Sequence, residues 1–443
     1  MTISLDKLAI CLAVPVKKRI FAANQRLSPM NRLTALLFCF FALTASAQRN
    51  EIVAPNIASL QVIANGDWMR LPVITLNNGE YVTIGFDELS HVVRRYCYKI
   101  EHCEADWTTS EELFESDYVA GFASGNTIED TEQSINTNSL YTHYSFTLPN
   151  DRCAPRLSGN YRVTVYDEND GSQPVLTACF MIVDPAMRVG LSVTGNTDTD
   201  INHRHQQVDM TVDFGNLRVT SPATQIHTVV MQNGRWDNAV VNAQPQYVRG
   251  DGLTWTHCRD LIFPAGNEYR KFEMLDVGHT TMGLESMKWD GQQYHAWVWT
   301  DEPRPSYVYD EDANGAFCIR NSDNVEINTT SEYVTVHFRL KAPRQNNDIY
   351  LNGNWTNDRF LPAYRMQWND ATQLYEGAVR LKQGYYSYQY LQMMPDHTLQ
   401  PVPSEGSFYQ TENAYQALVY YRGQGERTDR LVGYQSLPPA PSK

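Results

Sequence analysis

Apolar side chains in this sequence recur at every second position in short runs, and nowhere do they settle into the 3.6-residue period of a long helix. Val208-Asp209-Met210-Thr211-Val212-Asp213-Phe214 alternates without a break, and Tyr161-Arg162-Val163-Thr164-Val165-Tyr166 keeps nearly the same rhythm. A strand built this way has one greasy face and one wet face, so it is stable only when two sheets stack greasy face to greasy face. Glycine (25) and proline (21) are spread between the runs and punctuate them as turns. The expected fold class is all-β.

Turn signals and polar, proline-bearing gaps divide the chain into three expected units. The first, 48–185, holds about seven short strands, the size and rhythm of an immunoglobulin-like sandwich. The second, 186–322, is expected to end in a hairpin of 307–309 against 316–320. The third, 323–436, is followed by a proline-rich tail, 437–443. In that third unit the order of a strand, an Asn352-Gly353 turn, Trp355, a Met366/Trp368 strand and Gly384-Tyr385-Tyr386-Ser387-Tyr388 resembles early-set sandwiches of the glycogen-binding type. The expected architecture is a tandem of immunoglobulin-like and early-set β-sandwiches.

The first 47 residues read as an address. After Met30 come Arg32, an apolar run from Leu33 to Leu43, and Ala45-Ser46-Ala47, which is a charged start, a hydrophobic stretch and a small-x-small cleavage site. The expected start is Met30, with residues 1–29 an over-extension and cleavage after Ala47. The stretch is too short to span a bilayer, and no later segment reaches that length, so no membrane span is expected. Removing residues 1–47 takes away Lys7, Lys17, Lys18, Arg19, Arg26, Arg32 and Asp6, so a net charge of −14 becomes −14 − 5 = −19. Such acidity disfavours nucleic acid and anionic lipid as partners.

Candidate chemistry is sparse. Cys97 and Cys103 lie on one expected strand, roughly 20 Å apart, which is beyond disulfide reach. Asp310-x-Asp312-x-Asn314-Gly315 matches half of a calcium loop, but position twelve is Asn321 and the flanks read as strands, so an acidic turn explains it better and no metal is expected. His203-x-His205 offers two imidazoles with no third ligand. No nucleophile elbow, zinc-protease helix, phosphate loop or dinucleotide fingerprint is present, so no catalytic residue and no cofactor is assigned. Trp355, Trp368 and Tyr386 are the candidates for a sugar-stacking platform, the basis of an alternative role as a carbohydrate-binding accessory protein.

The densest stretch begins at Tyr96. Thr108-Thr109-Ser110 followed by Glu111-Glu112 predicts a capped helical turn, with Asp106 capping a turn and Trp107 filling the core of the first sandwich. Tyr98-x-Ile100-x-His102-Cys103-x-Ala105-Asp106-Trp107-x-x-Ser110 is followed by Gly121, Ser134-x-Asn136-Thr137, Leu148-Pro149-Asn150 and Ser158-Gly159-Asn160-Tyr161. Far downstream come Lys382-Gln383-Gly384, Glu405-Gly406, Thr411-Glu412-Asn413-x-Tyr415 and Asp429-Arg430-Leu431-Val432-Gly433. Taken in order, these motifs resemble the plug proteins of the type IX secretion system. The resemblance implies a periplasmic, non-enzymatic component, one copy within a larger complex, whose partner is the outer-membrane translocon barrel and whose task is to close that pore when no cargo passes. It also implies that Tyr98, His102, Cys103, Asp106, Trp107, Gly121, Asn136, Gly159, Asn160 and Tyr161 are fold-building positions; no contact residue for the translocon carries over.

Overall fold

The computed structural model describes residues 50–439; the signal segment and the last residues of the expected tail lie outside them. The fold is all-β, in tandem sandwiches. In the first, Glu51–Ile52, Asp170–Val183, Gly159–Asp167, Tyr96–Cys103 and Asn126–Thr127 form one sheet, with Val73–Thr75 parallel to Asp170–Val183. Ile57–Ala64, Val82–Glu88, Thr142–Leu148 and Asp130–Gln133 form the facing sheet. Alternation does the packing: Tyr96, Tyr98 and Ile100 point into the core with Ile84, Phe86, Tyr144 and Tyr161. Asn150, next to that core, donates to the Tyr98 hydroxyl at 3.0 Å.

The second sandwich pairs Arg188–Thr194, His205–Asp213, Gly252–Trp255 and Tyr247–Val248 in one sheet. Its other sheet is Val240–Val241, Ile226–Gln232, Tyr415–Tyr421 and Arg430–Leu437. Ile226–Gln232 runs antiparallel to Tyr415–Tyr421, with Ile226 opposite Tyr421. The third sandwich is a ten-stranded sheet that includes Arg270–Met274, Leu284–Trp289 and Tyr294–Val298 as well as Tyr333–Leu340, Leu374–Lys382 and Gly384–Met393. Strand pairing therefore does not follow a line at 322/323. The third sandwich is inserted between two halves of the second, and the chain returns at Tyr415 to complete it.

The reason is visible in Tyr415–Tyr421, where all seven residues are buried. Tyr415, Ala417, Val419 and Tyr421 enter the core of the second sandwich, while Leu418 and Tyr420 face the first. A strand covered on both faces reads as a continuous apolar run, and such a run says nothing of which distant strand it joins. The expected hairpin of 307–309 is also absent: Phe317–Ile319 pairs instead with Gly384–Met393.

Candidate functional site: the joints between sandwiches

Alternate residues of the strands just described point away from their own cores and meet. Cys103, Cys179, Met181 and Val183 from the first sandwich pack on Val229, Met231, Leu418, Tyr420 and Leu431 from the second. Trp107 sits at the rim of this cluster, 2 % exposed, with its ring edge-on to Trp236 at 5.6 Å. Trp107 thus fills the joint rather than the core of the first sandwich. It is placed by a tight turn: Asp106 accepts from Thr108 N–H at 3.0 Å, and Trp107 has φ +67, a left-handed conformation rare for a bulky residue.

Polar residues clasp the rim. The Asn160 amide donates to Glu104 O at 2.8 Å and accepts from the Tyr420 hydroxyl at 2.8 Å. Ala105 N–H donates to the Asp429 carboxylate at 3.0 Å, and Asp429 N–H returns a bond to Glu104 at 2.8 Å. Arg422 pairs with Glu104 and lies 3.1 Å from Asp429. Buried His102 bonds Ser110 Oγ through Nδ1 at 2.8 Å and donates from Nε2 to Ser158 O at 3.2 Å. Ser110 in turn meets Thr428 Oγ1 at 3.0 Å. Ser110 is therefore a joint residue and not a helix cap; the short helix is Glu115–Tyr118, where Asp117 accepts from Phe114 N–H at 2.9 Å.

A serine hydroxyl on an imidazole can move a proton, but the second His102 nitrogen is spent on a backbone carbonyl rather than a carboxylate, and burial lowers the His102 pKa. Gly159 is required here: it has φ +146, and a Cβ would lie 2.3 Å from His102 Nε2. Gly121 has φ +94 and a Cβ there would meet Arg152 O at 2.1 Å. Cys103 accepts from Arg162 at 3.3 Å, its thiol pushed up to about 11 by burial. Tyr161 donates to Leu157 O at 2.9 Å, and Asn136 is an exposed left-handed turn residue.

The joint between the first and third sandwiches is ionic. Lys382, 1 % exposed, lies 2.6 Å from Asp87, itself fully buried. Asp87 also accepts from His143 Nδ1 at 2.7 Å and from the Tyr333 hydroxyl at 2.6 Å. Lys382 donates to Asn328 O at 2.6 Å and rests 4.1 Å above the Tyr141 ring. Burial pulls the Lys382 pKa down, whereas burial alone would raise Asp87; its charged neighbours reverse that and hold it low. Three donors around one carboxylate favour the ion pair at neutral pH. Where the chain re-enters the second sandwich, Asn413 donates to Gln206 Oε1 at 2.9 Å and accepts from Asn233 at 2.7 Å. Within the third sandwich, Glu405 is gripped by Arg270 at 2.8 Å and by Arg304. Asp87, Glu104, Arg422 and Tyr420 were not singled out from sequence; the usable signal was a charged residue closing an otherwise buried strand.

Trp355 and Tyr386 are packed in the core of the third sandwich, 7 % and 1 % exposed, so with Trp368 at the rim they form no shared exposed platform. In the calcium-like turn, Asp310 pairs with Lys271 at 2.6 Å. Asp312 turns inward to accept from the backbone of Tyr269 and Asn314, and burial pushes its pKa up to about 7.

The family described as "Type 9 secretion system plug protein 1st domain" matches residues 57–184, nearly the whole first sandwich. A crystal structure of a hypothetical protein from Parabacteroides merdae ATCC 43184 is 39% identical, covers 88% of this chain and 98% of its own, and superposes with a TM-score of 0.85. The chain belongs to the type IX secretion system plug protein family. The partial N-terminal region of an enterococcal surface protein aligns at 8% identity over 89% of this chain and 96% of its own, with a TM-score of 0.16, too low to carry an argument. No curated protein matches. In the plug-family chain, several motifs behind the resemblance fall on the joints: His102, Cys103, Trp107, Ser110 and Asn160 against Asp429, with Lys382 at the joint to the third sandwich.

Proposed function

We propose that this chain is a periplasmic, non-enzymatic plug that seats against the outer-membrane translocon of the type IX secretion system and closes its pore while no cargo is in transit. The observation that carries the reading is the fusion of three sandwiches into one body through buried joints built by the family's own motif residues. A stopper must resist deformation over an area large enough to cover an opening, and stacked sheets joined by buried contacts resist it. Export by the leader ending at Ala47 fits the same reading. Among the described residues no helix is long and apolar enough to cross a membrane. Deleting the gene is expected to make the outer membrane leaky to large antibiotics, and the tagged protein is expected to co-purify with the translocon. An intact barrier together with no translocon in the purified fraction would sink the proposal.

A further inference from the structure

Where all three sandwiches meet there is a pocket of about 130 Å³. The first sandwich brings Gln61 and, from the turn after Ile57–Ala64, Trp68; the second brings Trp236. The third brings Asn314, Asn354, Asn357 and Asp358. This place is distinct from the core of the third sandwich, into which Trp355 and Tyr386 are packed.

The hydrogen bonding of the pocket differs from that of its surroundings. Asn160, Asn413 and Glu405 find partners within the chain. The amides of Gln61, Asn314, Asn354 and Asn357 and the indole N–H groups of Trp68 and Trp236 meet none among the described residues. None of them is sealed from solvent as the Trp107 indole N–H is. Asn314 and Asn357 have left-handed backbone, φ +49 and +54, which by itself favours asparagine. Gln61, on a strand, and Asn354, on a short helical turn, have no such backbone reason to be amides. Asp358 accepts from Asn352 at 3.2 Å and from Trp236 N–H at 3.3 Å, two long bonds on a carboxylate that can take about four. The guanidiniums nearby are spent: Arg235 on Asp237 at 2.5 Å, Arg70 on Asp67 at 2.9 Å.

Size and chemistry together narrow the occupant. An apolar cavity of about 150 Å³ takes one benzene ring, so this pocket holds a single six-membered ring rather than a drug-sized molecule. Amides donate and accept, a carboxylate accepts, and indoles offer a flat apolar face. A ring with hydroxyls around its edge and C–H groups on its faces uses all three. An anion would find both guanidiniums paired. An extended peptide would ask for a row of backbone partners along a sheet edge, whereas these groups converge from three sandwiches.

We propose that this pocket binds one pyranose residue of a neutral sugar. Gln61, Asn354 and Asp358 hydrogen-bond its hydroxyls, and the indoles of Trp68 and Trp236 border its ring. The inference goes beyond pore sealing and does not rest on it.

The test is saturation-transfer-difference NMR of the full mature chain with the methyl glycosides of glucose, galactose, mannose, fucose and N-acetylglucosamine. At least one is expected to bind saturably. Gln61→Ala and Asn354→Ala are each expected to weaken it about three- to tenfold, the scale of one hydrogen bond between neutral groups. Neither side chain makes a hydrogen bond that holds the fold, and unchanged melting temperatures check this. Lack of saturable binding by every glycoside, binding untouched by both variants, or equally tight binding of glycerol would overturn the proposal. So would displacement of the sugar by an equal or lower concentration of a neutral tripeptide, which would assign the pocket to a peptide instead.

Discussion

Between the first and second sandwiches, apolar side chains from two outer sheet faces do the packing and hydrogen bonds ring them, with Trp107 at the edge and Asn160 shared by Glu104 and Tyr420. Between the first and third, a lysine and an aspartate occupy the middle, with tyrosines, a histidine and a serine around them. An apolar joint is forgiving, since losing one ring leaves the rest. An ionic joint is not, because either charge left alone is buried without compensation. The first kind of joint fastens; the second fixes one arrangement and penalises every other.

Five substitutions, two of them read through pH, sharpen the contrast. Lys382→Met strands Asp87 and is expected to cost about 3–5 kcal/mol in denaturant unfolding, while Asp87→Leu combined with Lys382→Met recovers most of it; a double variant as unstable as the single one would remove the distinction. Trp107→Ala, which empties the rim of the apolar joint, is expected to cost about 3 kcal/mol by the same measurement. Tyr420→Phe leaves the Asn160 carbonyl oxygen without its donor and should cost about 1–2 kcal/mol.

The smallest effects are titrations. His102 has a folded pKa below its usual 6.5, so the unfolded chain binds the extra proton first and stability falls as pH drops through that region. His102→Asn should flatten thermal stability between neutral and mildly acidic pH. Asp312 runs the other way: its pKa is raised from 3.8 to about 7, so the folded state keeps a proton that the unfolded state has lost, and stability falls as pH rises across that window. Asp312→Asn should therefore gain on the wild type over the same interval and level off above it.

Much of the fold was legible because alternation is local. The strands around Tyr98, Tyr161, Met210 and Val336 follow from period two, whereas Gly159-Asn160, which reads as a turn, opens the strand Gly159–Asp167. Which strand joins which was not legible. Tyr415–Tyr421 is a plain apolar run, and only the folded chain shows that it pairs with Ile226–Gln232 across an inserted sandwich. The motif residues were readable as structural, and Trp107 as buried, but not as buried between sandwiches, since a core and a joint ask for the same side chains. The Asp87–Lys382 pair spans 295 positions, and no local pattern announces such a partner.

The central claim is that the joints make three sandwiches unfold and move as one body. Differential scanning calorimetry of the mature chain tests it directly: one transition with equal calorimetric and van't Hoff enthalpies is expected, whereas separate transitions for individual sandwiches in the wild-type chain would contradict it.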